Sequence, residues 1–394
     1  MNVEMKKCEE KILTIAFSGH IDSSNAPEAE KTVQEICSEH PGCEVVVDAE
    51  NLVYISSAGL RILLRLRKSY PELKIVNVSS EVYEVLDMTG FAEMIHVEKA
   101  YRKLSVEGCD VIGAGANGKV YRLDADTIIK VYFNSDALDD IQRERELARK
   151  AFVLGIPTAI PYDVVKVGDM YGSVFELLNA KMYSQLIIED PDHLDQYVTQ
   201  YVEVLKKIHE TVVKPEDMPS IRDFAIGWAE DIEGEISKEN YDKLKQLIEG
   251  VPEDYHMIHG DYHVKNLMQQ GDEALLIDMD TLSHGNPVFE FANMFNAYVG
   301  YEEMYPKERV GEFLGLNAYL VGAIWDKTLR LYFETEDQDQ IDLIKKKISI
   351  IGYVRVLRRT LRRNADTELG QKMIENAKRR LEELIPQVDT LLLA

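Results

Sequence analysis

The sequence predicts two folds in series: a small α/β domain, then a bilobal α+β unit with a large helical C-terminal lobe. Three observations carry this. Apolar strand-like runs alternate with amphipathic helical stretches over about the first hundred residues. A glycine-rich loop at 112–121 stands between strand patterns rather than ahead of a helix. Beyond about residue 190, apolar positions recur at helical spacing almost to the end of the chain.

In the first part, strands are expected over 11–18, 44–48, 73–78 and 94–98, and helices over 25–39, 58–70 and 80–89. Residues 44–48 form a buried run ending in Asp48. A tight loop, Ser56-Ser57-Ala58-Gly59, leads into a helix beginning near Ser57. A phosphate on Ser57 would lie at a helix N-terminus, where free amides and the helix dipole favour anions. Ser56 or Ser57 can equally serve as a plain helix cap.

The chemistry is concentrated in the second part. Residues 258–268 read IleHisGlyAspTyrHisValLysAsnLeuMet, and 275–280 read LeuLeuIleAspMetAsp. Asp261 and Asn266 lie five apart on one loop, and Asp278 falls on the next predicted strand. A carboxylate to accept the proton of an attacking hydroxyl, an amide oxygen and a second carboxylate for Mg²⁺ are what phosphoryl transfer requires. Upstream, Gly113, Gly115, Asn117, Gly118 and Val120 form a G-x-G-x-x-G-x-V loop. Alone that pattern also fits dinucleotide-binding folds, which run from strand to helix. Here a turn at 124–126 and a third strand at 127–133 follow, an arrangement that cradles ATP phosphates. Lys130 sits in that third strand. The helical segment 139–152 offers Glu144 or Glu146 as its ionic partner.

These residues carry two resemblances. From about 106 to the end the chain resembles the aminoglycoside phosphotransferase and choline kinase branch of the protein-kinase-like fold, through His259-Gly260-Asp261, Asn266 and Asp278. The resemblance implies that Asp261 is the catalytic base, that Asn266 and Asp278 bind Mg²⁺, and that Lys130 binds ATP phosphate. It also makes Phe175–Asn179, with Glu176, the adenine-binding hinge. Glu144 is preferred over Glu146 from its distance to Gly155–Pro157, and Glu290 is expected to tie down the catalytic loop. The first part is similar to a STAS domain, the fold of anti-sigma-factor antagonists, through Asp48, the loop 56–59 and residues 86–91. Ser57 aligns with that family's phosphoacceptor, while Ser56 replaces its usual acid. The expected domains are 1–103 (STAS-like), 106–180 (kinase-like N-lobe) and 181–394 (helical C-lobe), with a short boundary near 99–110.

The expected activity is ATP- and Mg²⁺-dependent phosphoryl transfer to a hydroxyl of a small molecule, with a regulatory STAS domain. The alternative is a protein serine kinase in a partner-switching circuit, acting on a STAS serine such as Ser57 in cis or in trans. The partners are then a hydroxyl-bearing small molecule or a STAS-type or anti-sigma protein.

Composition narrows the rest. The 394 residues carry a net charge of −24, against nucleic acid or an anionic membrane as partner, since both attract basic faces. That charge is compatible with a cationic substrate, and the acidic residues around 301–303 and 334–342 are candidates to face one. Cys8, Cys37, Cys43 and Cys109 form no C-x-x-C pair. With no signal-like N-terminus and no long apolar run, a cytoplasmic protein is expected. Asp280 would share the face of Asp278 on a continuing strand. His256, His259, His263 and His284 look like a metal cluster only on paper, because the catalytic segment must be a loop. The basic residues at 355–363 and 377–380 read as solvated faces or ion pairs, and Trp228 and Trp325 as core.

Overall fold

Parallel strands buried on alternate residues build the first part of the chain. In this computed structural model, which describes residues 2–9, 11–115 and 117–393, two compact units divide the chain. One comprises 1–105 with 164–168, and the other comprises 106–163 with 169–394.

The first unit contains β1 (Val3–Glu9), β2 (Ile12–Ile21), α1 (Ala26–Glu39), β3 (Glu44–Ile55), α2 (Ser57–Ser69), β4 (Lys74–Val78), α3 (Ser80–Met88), α4 (Phe91–Met94) and β5 (His96–Lys99). The strands lie in the order β1-β2-β3-β4-β5, antiparallel at β1 and parallel elsewhere. Phe17, Val45, Val47, Ile75, Leu63 and Leu66 close its core. Two features differ from the sequence reading. Strand β1 was not anticipated because it is an edge strand with only Val3 buried, so it has no apolar alternation to detect. Strand β3 runs on to Ile55 through two register shifts against β2. Such bulges break the period-2 signal.

Next come β6 (Arg102–Lys103), β7 (Val111–Ala114), β8 (Gly118–Arg122), β9 (Thr127–Tyr132), α5 (Leu138–Val153), β10 (Asp163–Val167) and β11 (Met170–Glu176). β6 pairs in parallel with β10, Arg102 opposite Val165. In the second unit β11, β9, β8 and β7 are antiparallel neighbours in that order. The remaining elements are β12 (Lys181–Met182), α6 (Tyr183–Glu189), α7 (Leu194–Glu210), α8 (Ile221–Glu230), α9 (Lys238–Glu249), β13 (Met257–Ile258), β14 (Leu267–Gln270), β15 (Glu273–Leu276), β16 (Ser283–His284), α10 (Pro287–Phe295), α11 (Ala318–Phe333), α12 (Gln338–Arg363) and α13 (Glu368–Leu384).

Within the expected helical lobe, α11 starts only at Ala318. Gly311 and Gly315 take left-handed backbone, and the Asn317 side chain accepts the Leu320 N–H to cap the helix there. The last helix, α13, ends at Leu384, just ahead of Pro386. α12 is the spine of this lobe, burying Ile341, Ile344, Ile348, Ile351 and Val354. Among the described residues, no helix is long and apolar enough to cross a membrane.

Candidate functional site

The glycine loop is the β7–β8 hairpin, with Gly113 opposite Val120 and the Gly115 N–H donating to the Gly118 carbonyl at 3.0 Å. A Cβ on Gly118 would lie 2.4 Å from the Val131 carbonyl oxygen, so only glycine permits this approach. The Asn117 carbonyl accepts from Phe133 N–H at 3.0 Å. Val120 stands opposite Lys130 on β9.

Lys130 and Tyr132 share one face of β9, and both reach Glu144 of α5. Lys130 Nζ lies 3.2 Å from Glu144 Oε1, and the Tyr132 hydroxyl donates to Oε2 at 2.7 Å. Glu144 is buried. Glu146 instead pairs with Lys150 at 2.9 Å on the outer side of α5. Lys130 Nζ also lies 3.0 Å from Asp278 Oδ1. Burial opposes its charge, but the carboxylates of Asp278 and Glu144 outweigh burial and raise its pKa. Glu176 is exposed at the end of β11, opposite Thr127, and the next residue, Leu177, donates its N–H to the Asp126 carbonyl at 2.7 Å.

The loop 259–266 is held from below. Glu290 on α10 is fully buried, and its two oxygens accept the His259 N–H at 2.6 Å and the Gly260 N–H at 3.0 Å. Asn293, one turn on, donates to the Gly260 carbonyl at 2.7 Å. Gly260 has φ +82° and a Cβ there would meet the Thr281 carbonyl at 2.6 Å. His259 is fully buried, its Nδ1 accepts the Asp261 N–H at 3.3 Å, and burial lowers its pKa. It therefore acts as a neutral strut of the loop.

Asp261 points out of this frame, its side chain 48% exposed. Burial by the surrounding fold pushes its pKa up, but the neighbouring His263, 3.6 Å from its Oδ2, outweighs burial and, with Arg355, holds it at about 2. The group is a carboxylate at neutral pH. The Asn266 amide donates to the Asp261 carbonyl at 2.9 Å and sits 3.3 Å from its Oδ2. Asn266 immediately precedes β14, and the Ile277 N–H donates to its carbonyl at 3.0 Å.

Asp278 differs from its predicted place on a strand. β15 ends at Leu276, and Asp278 lies two residues further in left-handed backbone, φ 64°. Non-glycine residues held there are strained by about 1–3 kcal/mol. Asp280 likewise lies in a turn and not on a continuing strand. Burial first, then the Asp278 and Glu144 carboxylates, push Asp280 up to about 7. The corner thus holds more carboxylate than its one lysine can neutralise, as a site for a cation would. Among the described residues no three His, Cys, Asp or Glu side chains form a metal cage. The oxygen side chains of Asp278 and Asn266 are of the kind Mg²⁺ takes, with waters and phosphates filling the rest of its shell.

A family model, the phosphotransferase enzyme family, matches residues 109–321. The chain belongs to the phosphotransferase enzyme family. A second model, the STAS domain, matches residues 5–104. An anti-sigma factor antagonist by name, BtrV of Bordetella bronchiseptica, is 35% identical over 103 residues, covering 25% of this chain and 85% of that protein. Among solved structures, a thermostable mutant of aminoglycoside phosphotransferase APH(4)-Ia in its apo form aligns at TM-score 0.50 and 14% identity. It covers 72% of this chain and 97% of that one. The ADP-bound aminoglycoside phosphotransferase APH(2'')-Ib aligns at TM-score 0.49 and 13% identity, covering 78% and 99%. The activity class is an ATP-dependent phosphotransferase, built as a STAS domain followed by a kinase-like domain with a helical C-terminal lobe.

Several residues of this phosphotransferase site were not singled out from sequence. His209 is buried beside Glu290, Nε2 to Oε2 3.6 Å, and its Nδ1 meets the Tyr332 hydroxyl at 2.8 Å. Its only sequence signal is a histidine at the end of an amphipathic helix. Tyr201, Tyr262 and Tyr298 clamp the loop through hydroxyl contacts. In the STAS domain, Ser56 Oγ accepts the Ala58 N–H at 3.2 Å and so caps α2, leaving Ser57 exposed on its first turn.

The acidic segments suggested to face a cationic substrate are engaged elsewhere. Both oxygens of Glu302 accept backbone N–H groups, from Gly311 at 2.6 Å and Phe313 at 3.0 Å. Glu303 accepts from the Tyr353 hydroxyl at 2.7 Å and Asn376 at 2.8 Å. Glu334 pairs with Lys206 and Glu336 with Arg330, while Asp337 caps α12.

Proposed function

We propose that this phosphotransferase moves the γ-phosphoryl of ATP to a hydroxyl of a small molecule, with Asp261 as base. The supporting observation is the convergence of an ionised, outward-facing Asp261, an Asn266 amide beside it, and Asp278 within 3.0 Å of Lys130. In this reading Lys130, held by Glu144, binds ATP phosphate under the hairpin that carries Gly113, Gly115, Asn117, Gly118 and Val120. The stretch Phe175–Asn179, with Glu176, borders the adenine. Asn266 and Asp278 would hold Mg²⁺, which when bound neutralises phosphate charge. Asp261 accepts the proton of the acceptor hydroxyl, and the enzyme's contribution is chiefly placement and charge. ATP supply and the free thiols of the chain suit a cytoplasmic reaction.

A second reading rests on Ser57, exposed on the first turn of α2 and not used as its cap. Phosphate there would meet free helix amides, making Ser57 of this or another chain the acceptor, with an anti-sigma-type partner. One experiment separates the two readings. The full chain is incubated with Mg²⁺ and γ-labelled ATP, and the products are read by intact mass and phosphopeptide mapping beside Ser57→Ala and Asp261→Asn. Unlabelled protein with ATP consumed on adding a hydroxyl compound supports the first reading. Stoichiometric label on Ser57, absent in both variants, replaces it with the second.

A further inference from the structure

Tyr132 follows Lys130 by two residues on β9, so both side chains leave the same face of the strand. The ring lies beside the ammonium, with Lys130 Nζ 5.1 Å from its centroid. The hydroxyl reaches Glu144 of α5, donating to Oε2 at 2.7 Å, with Ser173 Oγ of β11 3.4 Å away. Lys130 Nζ lies 3.2 Å from Oε1 and 3.4 Å from Oε2 of the same carboxylate. Glu144 is thus held twice by one strand. Lys130 keeps 18% of its side chain exposed, while Glu144 and Tyr132 are buried. Only the lysine of the three is open to a ligand. Burying a hydroxyl is costly unless it is bonded, and phenylalanine would supply the same ring without one. Burial, then the Glu144 carboxylate, raise the Tyr132 pKa and outweigh Lys130, so the phenol stays a donor.

The surrounding charges explain why a neutral donor is needed. Asp278 Oδ1 lies 3.0 Å from Lys130 Nζ, so two carboxylates compete for one ammonium. The Glu144 charge also acts on Asp280 and is repelled by it in turn. A second cation at Glu144 would compete with Lys130 for the carboxylate. A phenol binds Glu144 without doing so.

We infer that Tyr132 is a positioning residue for ATP binding: its hydroxyl fixes the Glu144 carboxylate against β9, and through Glu144 fixes Lys130 for ATP phosphate. The inference rests on the phosphate role of Lys130 proposed above, and adds the residue that keeps Lys130 from being drawn wholly to Asp278. Tyr132 acts through the carboxylate, so removing its hydroxyl matters only while Glu144 and Lys130 are both present.

That dependence is the test. Tyr132→Phe keeps the ring beside Lys130 and removes the hydroxyl alone. ATP affinity is measured by equilibrium dialysis of the full chain with Mg²⁺ and labelled ATP. The substitution is made in the parent, in Glu144→Ala and in Lys130→Met. Trp228 and Trp325 both lie in the second unit, so their emission during urea unfolding shows that each variant is folded where binding is compared. In the parent, Tyr132→Phe should weaken ATP binding about threefold or more, part of one hydrogen bond to a charged group. In the other two backgrounds it should change affinity little, because interacting residues are non-additive. A purely structural hydroxyl would instead give the same loss in all three. That result, or a loss under about threefold in the parent, overturns the inference. The Lys130→Met background keeps the test intact should Glu144→Ala fail to fold. A parent that binds no ATP would remove the phosphate role of Lys130 and this inference with it, whereas firm parental binding that Tyr132→Phe leaves unmoved refutes the role of Tyr132 alone.

Discussion

Glu290→Gln tests how the catalytic loop is held. The native carboxylate is fully buried and accepts two backbone N–H groups, from His259 at 2.6 Å and Gly260 at 3.0 Å. Hydrogen bonds to a charged group contribute about 1.5–3 kcal/mol each, and a buried donor left without an acceptor costs about 1–3 kcal/mol. Glutamine keeps one oxygen, but its amide presents a donor to the second N–H. One strong bond is lost, one weakens, and one amide is orphaned, for a combined cost of about 3–5 kcal/mol. Both tryptophans lie in the second unit, at 228 and 325, so tryptophan emission during urea unfolding reports that unit alone. This avoids treating a two-unit chain as a single transition. The loop carries Asp261, so kcat should also fall at least about tenfold, because a small misplacement of a catalytic group is costly. Glu290→Gln within about 1 kcal/mol of the parent, at unchanged urea dependence, would refute the anchor.

Asp261→Asn should lower kcat by about 10²–10⁴ at unchanged ATP affinity, the usual range for a general base; a loss under about tenfold would remove Asp261 from that role. Because Asp261 is held at about 2, it stays ionised down to mildly acid pH. An acid limb in the parent's kcat profile between about pH 5 and 7 must then come from another group, and should persist in the residual activity of Asp261→Asn. Gly118→Val forces a Cβ within 2.4 Å of the Val131 carbonyl, so the hairpin must open. ATP titration should show at least about tenfold weaker binding, and unchanged affinity would contradict the close approach. In the STAS domain, burial pushes Asp48 up, but hydrogen bonds from Lys6, the Glu50 N–H and Asn77 outweigh it and lower its pKa. A lowered pKa contributes stability present above the unfolded value, about 3.9, and lost as pH falls through the folded one. Lys6→Met raises that folded value, so acid unfolding of this domain, followed by its amide NMR signals, should begin at higher pH; an unmoved acid midpoint would rule out the Lys6 contribution.

The catalytic end of the site was legible because its chemistry is local. Asp261 and Asn266 sit on one tight loop, and Asp278 follows a single hairpin later, so spacing alone carries them together. Glu144 against Glu146 turned on which side of α5 faces β9, a tertiary fact; the buried face takes Glu144 and the outer face pairs Glu146 with Lys150. Asp278 was read onto a strand because Leu275, Leu276 and Ile277 continue the apolar run. The left-handed turn that aims its carboxylate at Lys130 leaves no mark in residue type. Glu290 is legible from its place after Asp278, but its partner His209 is not. The two are brought together by helix packing across eighty intervening residues (290 − 209 = 81).

Net charge was the least useful guide to the substrate. A total of −24 suggests a cationic ligand only if the acids face it, and beyond a Debye length, about 8 Å in physiological salt, exposed charges are largely screened. What a ligand meets is the uncompensated charge within reach of the reacting group. Beside Asp261, Asp278 and Asp280 leave an excess of carboxylate over Lys130. Glu302, Glu303 and Asp337 are engaged by amides, a tyrosine and a helix cap, and Asp231 is shared between Arg358 and Arg362. Arg355 and Arg359 are left facing aromatic rings. Net charge alone therefore does not give the sign of an acceptor site. The sign of that site is set by which carboxylates the fold engages internally, a property of the packing of α8, α10 and α12 rather than of composition.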